Sequence, residues 1–336
     1  MKKLKGLVCL ALSAVMVFTL AACGSTFDGN YKEVTGEEYN TVVDEVKTAF
    51  AKNGIDDILN PKTENSKNIR LANANAATAK GAKAEIKVNL GYKSSGSDAK
   101  EIKYDTTSSE EVCVNDGKLE IAAKSELKIK SNLAKSIDST LKAEAYVKDG
   151  DMYLGLKTEN KGEKASDPLD AKIKVSTALS VIDVDDIINF YMITECAENI
   201  VMQSAEQLNK AGVKVYMDKT DDAVKVKYVV DLNAYGELGI GTSKASYDLK
   251  DCYVIVVLDN EKGLSGVKVK LDVTAKRDVE TIVTKIEGYV EKTDKGVKFP
   301  KLDKYEEADV KNVTDIATGL EEFFLSLGQS VGEIFD

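Results

Sequence analysis

Ala145-Tyr146-Val147-Lys148-Asp149-Gly150-Asp151-Met152-Tyr153-Leu154 decides the fold. Asp149-Gly150 stands between two runs of strand character, and Asp-Gly suits the tight turn that joins antiparallel strands. Upstream, Leu141, Ala143, Ala145 and Val147 place an apolar residue at every second position. Side chains alternate faces along a strand, so this period of two means one apolar face and one polar face.

The same period recurs outward from the hairpin. Ala84, Ile86, Val88, Leu90 and Tyr92 alternate with Glu85, Lys87, Asn89 and Gly91. Leu119, Ile121, Ala123, Leu127 and Ile129 form another apolar face, and Asn115-Asp116-Gly117 is a turn before it. Ile173, Val175 and Thr177 follow the period, as do Val213, Val215 and Met217. So do Val224, Val226, Tyr228 and Val230, and then Val267, Val269, Leu271 and Val273. Tyr253 to Leu258 is apolar throughout, which predicts a strand covered on both faces. Val279 to Val290 alternates less cleanly, as a bulged strand would. The pattern predicts antiparallel sheet with one face of Val, Ile, Leu and Ala and one of Lys, Glu and Ser.

Three stretches break the period. Glu37 to Lys52 reads as a helix, with Val42, Val43, Val46, Ala49 and Phe50 on one face, Thr35 placed to cap it and Asn53-Gly54 to stop it. Asp183 to Ala211 lacks Pro and Gly and ends at Gly212; it predicts one long helix with an apolar stripe wide enough to require burial. The last segment, 306–336, has an amphipathic pattern weakened by Gly319, Gly328 and Gly332, which predicts a bent or marginal helix. Pro61 to Lys80 is polar and Asn/Ala-rich, and it fits either disorder or a short helix. The order of helix, strands, helix, strands, helix is α+β, and the helix-then-strands unit occurs twice. That fits either two related halves or one continuous curved sheet.

The N-terminus reads as an address and an anchor. Lys2, Lys3 and Lys5 precede the apolar run Leu7–Leu20, which is shorter than the ~20 residues of a membrane span and suits a signal peptide at 1–22. The run closes on Leu20-Ala21-Ala22-Cys23-Gly24, which resembles a bacterial lipobox. That resemblance implies diacylglycerol on the Cys23 thiol, cleavage after Ala22, and a cell-membrane lipoprotein on the extracytoplasmic face. Ser25 to Gly36 would then be a short polar tether. The net charge of −10 gives no pull toward an anionic bilayer, so acyl chains must supply the attachment.

Composition removes whole classes of chemistry. The chain of 336 residues contains no histidine, which excludes Ser-His and Cys-His nucleophile pairs and His-ligated metal. Net acidity argues against binding nucleic acid through charge. Cys113, Cys196 and Cys252 are an odd set in apolar stretches, better read as buried thiols than as a disulfide framework, although one pair could close.

The remaining motifs have bland readings. Ser-x-x-Lys occurs at Ser125/Lys128, Ser139/Lys142 and Ser265/Lys268, in strand-period stretches where residues three apart face opposite ways. Gly236 to Gly241 matches neither a dinucleotide fingerprint nor a phosphate loop. Asp218 to Asp222 lacks the sixth-position Gly and twelfth-position Glu of a calcium loop, and a hairpin turn fits it better. No catalytic residue, cofactor or metal is expected.

What is left is apolar surface. It either closes into a solid core, as in a structural or interaction lipoprotein of the envelope, or wraps a cavity for a lipid or other apolar guest. The residues chosen as cavity lining are Ile188, Tyr191, Met192 and Ile200 on the long helix, opposite Leu127, Val254 and Val269.

A lipobox, a helix, a one-faced sheet and a long apolar helix inserted mid-chain together resemble the lipoprotein-carrier folds of the LolA/LolB and mycobacterial LppX/LprG types. The Ala145–Leu154 hairpin and Phe299-Pro300-Lys301-Leu302-Asp303-Lys304-Tyr305 are similar to segments of such proteins. The resemblance covers most of 37–305. It implies a half-open barrel with helices on its concave face, holding acyl chains without catalysis.

Overall fold

The computed structural model describes residues 25–53, 80–96, 99–115, 118–132, 136–162, 169–178, 191–231, 246–261, 263–277 and 279–309. Expectations for the signal peptide, Cys23, Pro61 to Ala79, Asp183 to Phe190, Gly236 to Gly241 and 310–336 lie outside these residues.

The period of two is expressed as one sheet of thirteen strands. In chain order these are β1 (Lys32–Glu33), β2 (Lys80–Ser94), β3 (Glu101–Asn115), β4 (Lys118–Ser131), β5 (Ile137–Lys148), β6 (Asp151–Asn160), β7 (Leu169–Lys174), β8 (Lys214–Lys219), β9 (Ala223–Val229), β10 (Ser246–Asp259), β11 (Leu264–Arg277), β12 (Glu280–Thr293) and β13 (Glu306–Glu307). Their order across the sheet is β1-β8-β9-β10-β11-β12-β2-β3-β4-β5-β6-β7-β13. Every pairing is antiparallel except β13 on β7. Hairpins make two meanders, β2–β7 and β8–β12, and the β12–β2 ladder fuses them into one sheet. Both edges are strands of two residues, which present little free backbone to another chain.

The helices are α1 (Gly36–Asn53), α2 (Val175–Ala178), α3 (Tyr191–Val201) and α4 (Ala205–Lys210). They lie on the face that carries the main core. α1 buries Val42, Val43, Val46, Ala49 and Phe50, and it packs on α3, α4, β10 and β11. α3 packs on β11 and β12. Each fully buried Val or Leu here contributes roughly 1.5–3 kcal/mol. Gly288 on β12 is what allows α3 so close. A Cβ there would sit 2.9 Å from the Glu85 carbonyl oxygen and 3.0 Å from Ile193 Cδ1.

Several expectations need correction. The long helix is broken: α3 ends at Val201, and Ser204 starts α4 with a capping box in which its hydroxyl accepts from the Gln207 N–H. The strand predicted through Thr177 stops at Lys174, and Val175 begins a helical turn. β12 pairs without a bulge, and the register shifts occur in the β10–β11 ladder, between Lys250 and Tyr253 and between Val257 and Leu258. Within the segment expected as a tether, Phe27 is buried against Tyr289, Ile255 and Val257, and β1 pairs with β8. β3 has no counterpart in the sequence reading, because its helix-face positions include Thr106, Ser108 and Glu110.

Other expectations hold. Asp149 and Gly150 both have positive φ, as the Asp-Gly hairpin turn requires. Val254, Val256 and Leu258 enter the main core while Ile255 and Val257 are covered from the opposite face. Asp218 to Asp222 closes the β8–β9 hairpin. Cys113 and Cys252 are free and buried.

The opposite face of the sheet carries lysine–carboxylate pairs such as Lys268–Glu287 and Lys285–Asp272. Two apolar patches interrupt it, and each is covered by an end of the described chain. Phe27 lies on Tyr289, ring centroids 5.5 Å apart. At the other end, Phe299, Leu302 and Tyr305 lie on Ala122, Tyr146 and Tyr153.

Candidate functional site

The helix face of the sheet is mostly aliphatic; Tyr228, Ser125 and Ser139 are buried polar side chains on it, and β3 carries three in succession. Thr106, Ser108 and Glu110 occupy alternate positions on β3 and are 2%, 1% and 1% exposed. The register places Thr106 between Val88 and Leu127, Ser108 between Ile86 and Ser125, and Glu110 between Ala84 and Ala123. Ser125, itself buried, then faces Ala143 on β5.

Among the described residues, none of the three β3 side chains has a hydrogen-bond partner. Thr106 Oγ1, Ser108 Oγ and both Glu110 carboxyl oxygens are sealed from solvent and unsatisfied. An unmade hydrogen bond at a buried polar group costs about 1–3 kcal/mol, so this row works against folding stability. Burial drives the Glu110 carboxyl well above the ordinary carboxylate value of 4.5. Burial therefore favours its protonated form, which has one O–H to donate and a carbonyl oxygen to accept. The two hydroxyls add two more donors in line.

The surroundings define what the row can recognise. On the Glu110 level the helix face reads Val290, Ala84, Glu110, Ala123, Ala145, Leu154 and Ala171. The two immediate neighbours are alanines, the smallest side chains able to flank it. Lys83, Lys87, Lys124 and Lys128 fall one position out of phase, on the opposite face. Gly288, Ile86 and Ser108 share one row, so Ser108 lies two strand spacings, roughly 10 Å, from the place where α3 packs.

The residues chosen from the sequence share this face but not one spot. Val254 and Val269 are paired directly across β10 and β11 and are 1% and 3% exposed. Leu127, 1% exposed, lies on β4, with β12, β2 and β3 between it and β11. Ile200 is partly buried on α3 against the same core. Ile188 lies outside the described residues, as do the side chains of Tyr191, Met192 and Cys196. The polar row was missed because Asp105 to Glu111 contains no apolar residue to mark a face. A signal was present: the Asn115-Asp116-Gly117 turn requires a strand before β4, and counting back from it sets Glu110, Ser108 and Thr106 opposite Ala123, Ser125 and Leu127.

Other surface features offer less. An open groove of about 720 Å³ runs along the solvent side of α1, at Asp44, Lys47, Thr48 and Ala51. Among the described residues, no group of three Cys, Asp or Glu side chains is placed to hold a metal ion, and no helix is long and apolar enough to cross a membrane. The Ser-x-x-Lys pairs are split between faces: Ser125 is buried in the core and Lys128 is exposed and paired with Glu126.

No family model and no curated protein matches the chain. Among solved structures, the β-barrel-like protein of domain of unknown function DUF1849 from Brucella abortus is similar over 64% of this chain and 98% of that one. The identity is 13% and the TM-score 0.12, too low to bear on fold or function.

Proposed function

We propose that the chain is a non-enzymatic, lipid-anchored protein of the extracytoplasmic membrane face that holds an apolar ligand against the helix face of its sheet. The observation that carries this reading is a largely aliphatic face across the sheet on which β3 sets three buried polar side chains in succession, unpartnered among the described residues, with the Tyr228 hydroxyl on β9 a further unpartnered group on the same face. A chain selected only for a filled core has no use for that row. In this reading the sheet curves as a half-open barrel, the helices fill part of its concave side as in the LolA-like carriers, and the ligand takes the rest.

The anchor comes from Leu20-Ala21-Ala22-Cys23-Gly24. With Phe27 docked on the sheet, only Gly24 to Thr26 separate the lipidated Cys23 from the folded body. That is a reach of roughly 10–14 Å, so the sheet is held at the bilayer surface, where acyl lipid is available. The test has two arms. Palmitate labelling of the protein in bacterial cells should be lost on Cys23→Ser. Organic extraction of the protein purified without its anchor should yield a lipid.

A second reading, a structural envelope lipoprotein with a filled core, draws on the near-complete burial of Leu127, Val254 and Val269. Recovery of protein free of any lipid would favour it.

A further inference from the structure

We propose that Thr106, Ser108 and Glu110 anchor the polar end of the ligand, and that this end is an uncharged carboxyl or ester group of an acyl lipid. The inference rests on the apolar-ligand reading above and names the chemistry of that same site.

Three features select this chemistry. The row offers hydrogen bonds that none of the described residues uses: two hydroxyls and a carboxyl, all in line along one strand. A carbonyl or carboxyl oxygen accepts from such donors, and a carboxyl can also donate back to the Glu110 carbonyl oxygen. Second, no charged side chain shares the row. Its flanks are Val88, Leu127, Ile86, Ser125, Ala84 and Ala123. A phosphate or ammonium head group would enter without a solvated partner, which a site of this polarity does not compensate. Third, the surface on either side is aliphatic and small beside Glu110. The β2–β5 strands continue as Ala84, Ala123 and Ala145 on one level and Ile86, Ser125 and Ala143 on the next. These positions are buried in the ligand-free protein, Ala84 at 0% and Ala123 at 1% exposed, so an alkyl chain takes this surface by displacing what covers it while its oxygen end is held at β3. The protonated form that burial favours at Glu110 agrees with this.

The experiment uses the full-length protein in its own membranes. Two photoactivatable probes are compared: a diazirine-bearing palmitic acid and the corresponding diazirine alkane. Cross-links are mapped by peptide mass spectrometry. The expected result is palmitic acid labelling on β2–β4, falling about tenfold in Glu110→Leu and in Thr106→Val/Ser108→Ala, with alkane labelling unchanged or raised. The double variant keeps Glu110, so the pair separates loss of the anchor from misfolding of either protein. The methyl ester of the acid probe distinguishes the two sources: preference for the acid points to a free fatty acid, equal labelling to a glycerolipid ester, and both support the anchor. Alkane labelling of β2–β4 with no preference for the acid, unaffected by either variant, would overturn the anchor and leave the apolar-ligand reading standing. Absence of labelling on β2–β4 by every probe would overturn both.

Discussion

Glu110 on β3 stands directly across from Ala123 on β4, its two carboxyl oxygens sealed from solvent and without a hydrogen-bond partner among the described residues. Replacing it with an aliphatic residue of similar length removes the unmade hydrogen bonds and adds apolar contact. Glu110→Leu is therefore expected to raise the stability of the ligand-free protein by about 1–3 kcal/mol, read as a higher urea midpoint at unchanged slope. A gain in stability from deleting a buried polar side chain is the mark of a residue kept for something other than folding.

The same carboxyl sets a pH dependence. Burial holds Glu110 protonated in the folded chain above its ordinary 4.5, while the unfolded chain releases that proton. The folded state then binds more protons than the unfolded state, so this group's contribution to stability falls as pH rises from 4.5 toward the folded value, at about 1.4 kcal/mol per unit. Urea midpoints measured upward from pH 4.5 should show this decline, and Glu110→Gln should flatten it.

At the far end of the sheet, the Tyr305 hydroxyl donates to Glu144 Oε2 at 2.9 Å, and Lys304 bridges Glu144 and Asp170 at 3.0 and 3.1 Å. Burial works against the Glu144 charge, but the Lys304 and Tyr305 hydrogen bonds outweigh it and hold the carboxyl below its ordinary value. Gly155 leaves the room: a Cβ there would lie 3.1 Å from Asp170 Oδ1 and 3.3 Å from the Tyr305 hydroxyl. Tyr305→Phe should cost about 1.5 kcal/mol and Gly155→Ala a comparable amount by crowding the same hydroxyl, both measured by thermal denaturation.

Ser204 begins α4 with its hydroxyl on the Gln207 N–H, and the Gln207 side chain returns to the Ser204 N–H at 2.9 Å. Ser204→Ala is expected to lower stability by about 1 kcal/mol in the same assay, and Ser204→Asp to keep most of it.

Burial pushes the Cys113 thiol up to about 11, with Glu120 at 3.4 Å adding to the effect. Only about one molecule in a thousand carries the thiolate at pH 8, so iodoacetamide should leave Cys113 unmodified in the folded protein and label it in urea.

The parts of the fold legible in the sequence are those with a local signature. Ile121, Ala123, Leu127 and Ile129 betray β4 by alternation, and Asp149-Gly150 betrays its hairpin by turn chemistry. The break before α4 was also written locally, in Ser204-Ala205-Glu206-Gln207, but the wide apolar stripe around it masked the capping signal. β3 escaped because its buried face is polar, and the property that hid the strand is the one that makes it the candidate site. The docking of Phe27 on Tyr289 joins residues more than 250 positions apart. No local pattern encodes a pairing of that range. The spread of Leu127 away from Val254 follows from the strand order, which places β12 beside β2.

The central claim is that an acyl lipid occupies the helix face beside Glu110. Native mass spectrometry of the protein released gently from its membranes measures this directly. A noncovalent adduct of one acyl lipid per chain, lost in Glu110→Leu, is the expected spectrum. A chain carrying no mass beyond its covalent anchor, in wild type and variant alike, would contradict the account.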